Sequence, residues 1–148
     1  MAFNPSFLPI SIIDEEHRGI HRAVVSLMES ILLGSGAAKV LESATNVQQL
    51  TLEHFKHEEA LLGELRFSKL KEHKEDHNKV ASVLERIIGE LESKDSSAAL
   101  RSLREYRKLL LVHLQQEDEQ YRDDVNRYAA EHGISPLPPR IRHTIPEE

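Results

Sequence analysis

The sequence has no cysteine and no tryptophan among its 148 residues. Without cysteine there can be no disulfides, no iron–sulfur clusters and no thiolate metal sites, so any metal ion would be held by nitrogen and oxygen atoms. Aromatic residues make up only 5% of the chain, and a core would therefore consist mostly of aliphatic side chains. Hydrophobic residues still reach 39%, which is enough for one domain of ordinary size with a buried core.

Excess positive charge is also missing. The formal net charge is −6, and the sequence shows no cationic stripe of the kind that binds nucleic acid or an anionic membrane. No apolar run is long enough to span a bilayer, and the N-terminus lacks the basic and then apolar pattern of a signal peptide. We therefore expect no nucleic-acid partner, no membrane insertion and a cytoplasmic location.

Helical periodicity dominates the chain, and strand alternation is nearly absent. The pattern predicts helices over about residues 12–33, 38–65, 69–91 and 97–131. Ser11 and Ser68 are the expected N-caps of the first and third helices, while Gly34 and Gly133 should end the first and the last. Four long helices with short loops predict an all-α fold, an antiparallel up-down-up-down four-helix bundle.

Proline marks both ends of the chain. We expect one domain over residues 1–148, with an N-terminal arm at 1–10, the bundle at 11–132 and a Pro-rich C-terminal tail at 133–148. The prolines that exclude a helix from the tail are Pro136, Pro138, Pro139 and Pro146. The tail is either a ligand for a partner with an aromatic groove or a segment that is disordered or lies across the bundle.

Histidines and carboxylates recur at helical spacing on the two middle helices. His54 and Glu58 are four residues apart, and so are His73 and His77. Residues at this spacing lie one turn apart on the same face of a helix, close enough to share one ion or to flank two.

The two outer helices offer further candidates. His17 lies on the first helix, and His113 and Asp118 are five residues apart on the fourth. The core of a bundle is where side chains from four helices can converge. Imidazole and carboxylate without sulfur suit iron, manganese or zinc, and affinity alone does not choose among them. Any one pair has a simpler explanation as exposed histidines that fall at this spacing by chance.

In these motifs the chain resembles the hemerythrins, and most closely their single-domain bacterial members. The family pattern is a lone histidine on the first helix, followed by HxxxE, HxxxH and HxxxxD. The chain fills every position of this pattern, with His17, His54, Glu58, His73, His77, His113 and Asp118. The resemblance covers about residues 11–130, and the joint pattern is far more specific than any one of its elements.

The resemblance implies a non-heme di-iron centre. One iron would be bound by three histidines, which are His73, His77 and His113. The other would be bound by His17 and His54. The two carboxylates of the set would bridge the irons together with an oxo or hydroxo group. The two-histidine iron would keep an open position, which in the reduced state takes O2 or another small diatomic ligand. This implies reversible oxygen binding for storage, delivery or sensing.

By the same resemblance, an apolar pocket should surround the open position. The matching residues are Ile20, Phe55, Leu110 and Leu114. Leu109 departs from the family, because bacterial members often have tryptophan there, and His21 stands where a large apolar residue is common. His21 is either a histidine at the rim of the core with local hydrogen bonds or a group that donates to bound O2 or reaches a metal.

A second function of a different class stays open. The chain is then a di-iron enzyme or stress protein that acts on peroxide or nitric oxide, or an iron donor for repair, and His21 is the feature that most favours it. Reversible binding without catalysis ranks first. Plain metal storage or a structural metal site ranks last, because a structural zinc site uses fewer ligands. His57, which lies beside the ligand pair of the second helix, is interpreted as a solvated histidine.

Overall fold

The computed structural model describes residues 10–120 and 122–131 of the chain. Its helices are α1 (Ile10–Leu32), α2 (Ala37–Glu64), α3 (Leu70–Glu92), α4 (Ser96–Gln120) and α5 (Arg122–Glu131). No strand occurs within these ranges. The last two helices cover the stretch that was predicted as one. The predicted tail and all of the arm except Ile10 lie outside the described residues.

The helices pack in the order in which they follow one another. α1 contacts α2, α2 contacts α3 and α3 contacts α4, while α1 and α4 close the ring through a smaller contact. This arrangement confirms the all-α four-helix bundle. The core is aliphatic, as the scarcity of aromatic residues predicts, and Phe55 and Tyr106 are the aromatic side chains of its main cluster. None of the helices in the described ranges is apolar over a stretch long enough to cross a membrane.

The predicted helix caps were partly wrong. Ser11 lies inside α1, which begins one residue earlier, and α3 follows Lys69, whose side chain makes no capping hydrogen bond. α4 does have a side-chain cap, because Asp95 Oδ1 accepts a hydrogen bond from the backbone N–H of Ala98 at 3.0 Å. Gly34 ends α1 with a φ of 68°, as predicted from the freedom of glycine in the left-handed region.

The turn after α3 places a lysine where glycine would be expected. Lys94 has a φ of 59°, and the Asp95 N–H returns to the carbonyl of Glu90 at 2.9 Å. A side chain in this conformation is strained, so we expect Lys94→Gly to raise the free energy of unfolding by about 1 kcal/mol. Urea denaturation measures this free energy of unfolding. The matched control, Lys79→Gly inside α3, should lower the same quantity by about 1 kcal/mol, and a Lys94→Gly variant no more stable than the parent would contradict the prediction.

Candidate metal centre

The predicted ligands lie in one half of the bundle, near the starts of α1 and α3 and toward the ends of α2 and α4. Six of them have described side chains, and all six are buried, with at most 4% of each residue exposed. They are His17, His54, Glu58, His73, His77 and His113. Asp118 lies on α4, but its side chain is outside the described part of the structure.

Glu58 is completely buried at the centre of this group. Its Oε1 lies 3.0 Å from Nε2 of His77 and 3.0 Å from Nε2 of His113, and it also contacts Nε2 of His73. Its Oε2 lies 3.1 Å from Nε2 of His54, whereas His113 is farther from this oxygen, at 3.4 Å. The carboxylate therefore separates three histidines on one oxygen from His54 on the other.

His17 joins the histidine on the Oε2 side. Its Nε2 lies 2.7 Å from Nε2 of His54, and the two rings meet edge to face with centroids 4.2 Å apart. Two groups of possible ligand atoms result, each with its atoms within 4.8 Å of one another. One contains His17 and His54, the other contains His73 and His77, and both include Glu58 and His113. A carboxylate common to both groups has the position that a bridge between two ions requires.

The donor set fits a bound cation. The Nδ1–H of His77 donates to Glu59 at 2.7 Å, and the Nδ1–H of His54 donates to Glu16 at 3.2 Å. The opposite nitrogen of each ring faces Glu58. A neutral imidazole carries a single N–H, so Nε2 of both rings then turns a lone pair toward a carboxylate. A metal ion between each Nε2 and Glu58 would satisfy both groups, and the anchored Nδ1–H is the arrangement common around metal-bound histidine.

Glu16 binds two histidines of α2 at once. Besides His54 it accepts a hydrogen bond from Nδ1–H of His57 at 2.6 Å. Burial would raise the pKa of the Glu16 carboxyl, but these two hydrogen bonds outweigh it and lower that pKa, so the group is a carboxylate at neutral pH. The His57 side chain is 49% exposed, and it is also tied to the carboxylate that holds a candidate ligand. Its interpretation as a merely solvated histidine was therefore incomplete.

Sequence reasoning missed Glu16 and Glu59 as parts of this site. Each stands directly beside a predicted ligand, where it resembled an ordinary exposed helix acid. Their partners lie 38 and 18 residues away on other helices, so no spacing within one helix could have revealed the contacts. A weak signal was available, since an acid next to a buried ligand often reaches the outer nitrogen of a neighbouring histidine.

The four residues predicted to line the pocket are all buried, between 1% and 6% exposed, and they are Ile20, Phe55, Leu110 and Leu114. Phe55 stacks on the ring of His77, with centroids 3.8 Å apart and planes 7° from parallel, and meets His113 edge to face at 5.5 Å. Leu109 is partly buried against the core. The Phe55 ring thus packs directly on two candidate ligands.

His21 lies on α1 and is half buried. Burial lowers the pKa of its imidazole, and the charges of Arg107 and Arg22 lower it further, so the ring is neutral at neutral pH. In the part of the chain that the structure describes, no hydrogen bond, ion pair or ring contact joins it to a candidate ligand. The charge of Arg107, which lies on α4, is thus one of the causes that keep the His21 ring neutral.

The Glu59 anchor can be tested directly. We expect Glu59→Gln to weaken metal binding about 10- to 100-fold, because His77 loses the carboxylate that fixes its tautomer and ring orientation. Competition with a chromophoric chelator measures the affinity. Glu64→Gln, which neutralises an exposed carboxylate of the same helix, should leave the affinity unchanged. Equal affinities of both variants and the parent would show that Glu59 does not position His77.

A comparison with known protein families gives a match. The family model described as the Hemerythrin HHE cation binding domain matches residues 8–123, which is most of the chain. Comparisons with curated proteins and with solved structures give no significant match. The matched segment contains every candidate ligand, including Asp118.

Proposed function

Since the chain belongs to the hemerythrin family, we propose that it is a non-heme di-iron protein that binds O2 reversibly, for storage, delivery or sensing. The observation that supports this best is the position of Glu58. It is fully buried, with three histidines on one carboxylate oxygen and the His54–His17 pair on the other. The two metal positions therefore differ in the number of histidines around them, which a symmetric arrangement of ligands would not produce.

In this proposal one iron is held by the three histidines on Oε1, which are His73, His77 and His113. The other would be held by His17 and His54, and the carboxylates of Glu58 and Asp118 would complete the ligand set of the pair. When bound in the reduced state, the two irons supply the electrons with which O2 is held reversibly. The position with fewer histidines is the one left open for that ligand.

The protein supplies the surroundings. Glu16 and Glu59 hold the outer nitrogens of His54 and His77, which keeps each Nε2 directed at the centre. Phe55 covers His77 and His113, and together with the buried Ile20, Leu110 and Leu114 it would form the apolar wall that excludes water from the open position. An apolar wall disfavours the escape of a charged oxygen species, and so favours the release of neutral O2.

The test is to measure iron per chain and the visible spectrum of the reduced protein before and after exposure to air. Two irons with a new charge-transfer band that disappears when O2 is removed would support the proposal. Bound iron without a reversible band would contradict it. Steady consumption of peroxide or nitric oxide under reducing conditions would then point to the enzymatic alternative. Zinc in place of iron would contradict both.

A further inference from the structure

Two acids anchor candidate ligands from outside the centre, and they differ in the number of their partners. Among the described residues, Glu59 accepts a hydrogen bond from Nδ1–H of His77 alone. Glu16 accepts two, because its Oε1 lies 3.2 Å from Nδ1 of His54 and its Oε2 lies 2.6 Å from Nδ1 of His57. The acid on the two-histidine side of the centre is therefore itself held by a second side chain.

The shorter of these two contacts is made by the exposed ring. The side chain of His57 is 49% exposed, whereas that of His54 is fully buried. The His57 contact is close for an N–H···O hydrogen bond, and the His54 contact is at the outer end of the range. Glu16 is 22% exposed, and a glutamate that reaches solvent can turn toward water and keep several rotamers. His57 is thus the stronger of the two contacts that keep this carboxylate in place.

Glu16 is connected to both candidate ligands of the two-histidine position. His54 and His57 are three residues apart on α2, so their side chains are neighbours on the surface of that helix. Glu16 lies on α1 and directly precedes His17, whose Nε2 lies 2.7 Å from Nε2 of His54. One ligand is therefore linked to the carboxylate by a hydrogen bond and the other by the backbone. A contact that fixes Glu16 orients both of them.

We propose that His57 is a positioning residue for the two-histidine metal position: its imidazole N–H fixes the Glu16 carboxylate, which in turn fixes the ring of His54. The inference rests on the di-iron function proposed above, because it concerns one of the two metal positions. The three-histidine position has its own anchor, in which Glu59 holds His77. His57 should therefore act on one metal position and leave the other unchanged.

The experiment compares two substitutions of similar shape at residue 57. In His57→Asn the side-chain amide takes roughly the place of the Nδ1–H group and can still donate to Glu16. In His57→Leu the side chain branches at the same atom but has no donor. Lys56→Leu places the same leucine at the neighbouring exposed position of α2 and is the matched control.

Stepwise binding of Co²⁺ to the metal-free protein is measured in competition with a chelator. The parent, His57→Asn and Lys56→Leu should bind two ions, with both affinities within about twofold of one another across these proteins. His57→Leu should bind one ion about tenfold more weakly, at the lower end of the effect of losing a ligand's hydrogen-bond partner, because His57 acts one contact farther out. Glu59→Gln should weaken the other ion, which assigns each affinity to its position.

Proton exchange at the His54 ring gives a second measurement, which does not depend on binding affinity. In the Zn²⁺-loaded parent and in His57→Asn, the Nδ1–H proton of His54 should exchange slowly with solvent in NMR spectra, because Glu16 covers it. In His57→Leu the carboxylate is released more often, and this proton should exchange faster. The exchange at the His77 ring should be the same in all of these proteins.

Several results would overturn the proposal. One is a His57→Leu variant that keeps both Co²⁺ affinities of the parent, and another is an equal loss in His57→Asn and His57→Leu. A third is a loss of both affinities in His57→Leu together with a lower urea stability of the metal-free protein, since His57 would then only stabilise the contact between α1 and α2. A parent that binds fewer than two ions would instead refute the di-iron function itself.

Discussion

The Glu58→Gln variant should keep its helices but lose its iron. The amide has nearly the shape of the carboxylate, so the packing around it can persist. It carries no negative charge, however. Its NH2 group is a hydrogen-bond donor, and it would face an imidazole nitrogen whether it replaced Oε1 or Oε2. Among the described residues, Glu58 is the carboxylate that belongs to both groups of candidate ligand atoms. We therefore expect iron affinity to fall by more than about 100-fold.

Two measurements check this result. Iron per chain after stoichiometric loading should fall to background, while the far-ultraviolet circular dichroism of the variant stays helical. Thermal unfolding with and without iron should show that the parent gains stability from the metal, about 2.7 kcal/mol at a free concentration of 100 times Kd, and that Glu58→Gln gains none. Glu64→Gln on the same helix is the matched control and should behave like the parent. If Glu58→Gln loads and is stabilised as the parent is, Glu58 is not a metal ligand.

The grouping of His73 and His77 on one buried face could be predicted because the relevant spacing is local. His73 and His77 must share a helix face once the segment is helical, whatever the rest of the chain does. The short loops between long helices likewise predicted the four-helix bundle. Helix ends were less predictable, since serine beside an apolar run marks a cap only when its own backbone is not helical, and Ser11 is inside α1.

Contacts between helices could not be predicted in the same way. Whether Glu16 reaches His54, His57 or only water depends on how α1 is rotated against α2, and that rotation is set by the whole core.

Phe55→Ala should have the second large effect, because this ring serves both the core and the site. Phe55 is 3% exposed and stacks on His77. Its removal leaves a cavity and should lower the free energy of unfolding by about 3–5 kcal/mol. The cavity would border buried imidazole groups, and a cavity with polar partners admits water. We therefore expect faster autoxidation of the O2 complex. The rate should rise about tenfold for each 1.4 kcal/mol by which water lowers the activation free energy of autoxidation.

Two control variants separate the loss of unfolding free energy from the effect on the metal centre. Leu27→Ala removes a fully buried side chain of α1, ten residues and therefore about 15 Å along the helix from His17, and it should cost about 2–5 kcal/mol of unfolding free energy. Its autoxidation rate should match that of the parent. Phe55→Leu keeps an apolar group over His77 and should fall between the parent and Phe55→Ala in both measurements. If Phe55→Ala and Leu27→Ala lose similar stability but autoxidise at the same rate, the ring stabilises the bundle without protecting the open iron position, and the pocket must be assigned to other residues.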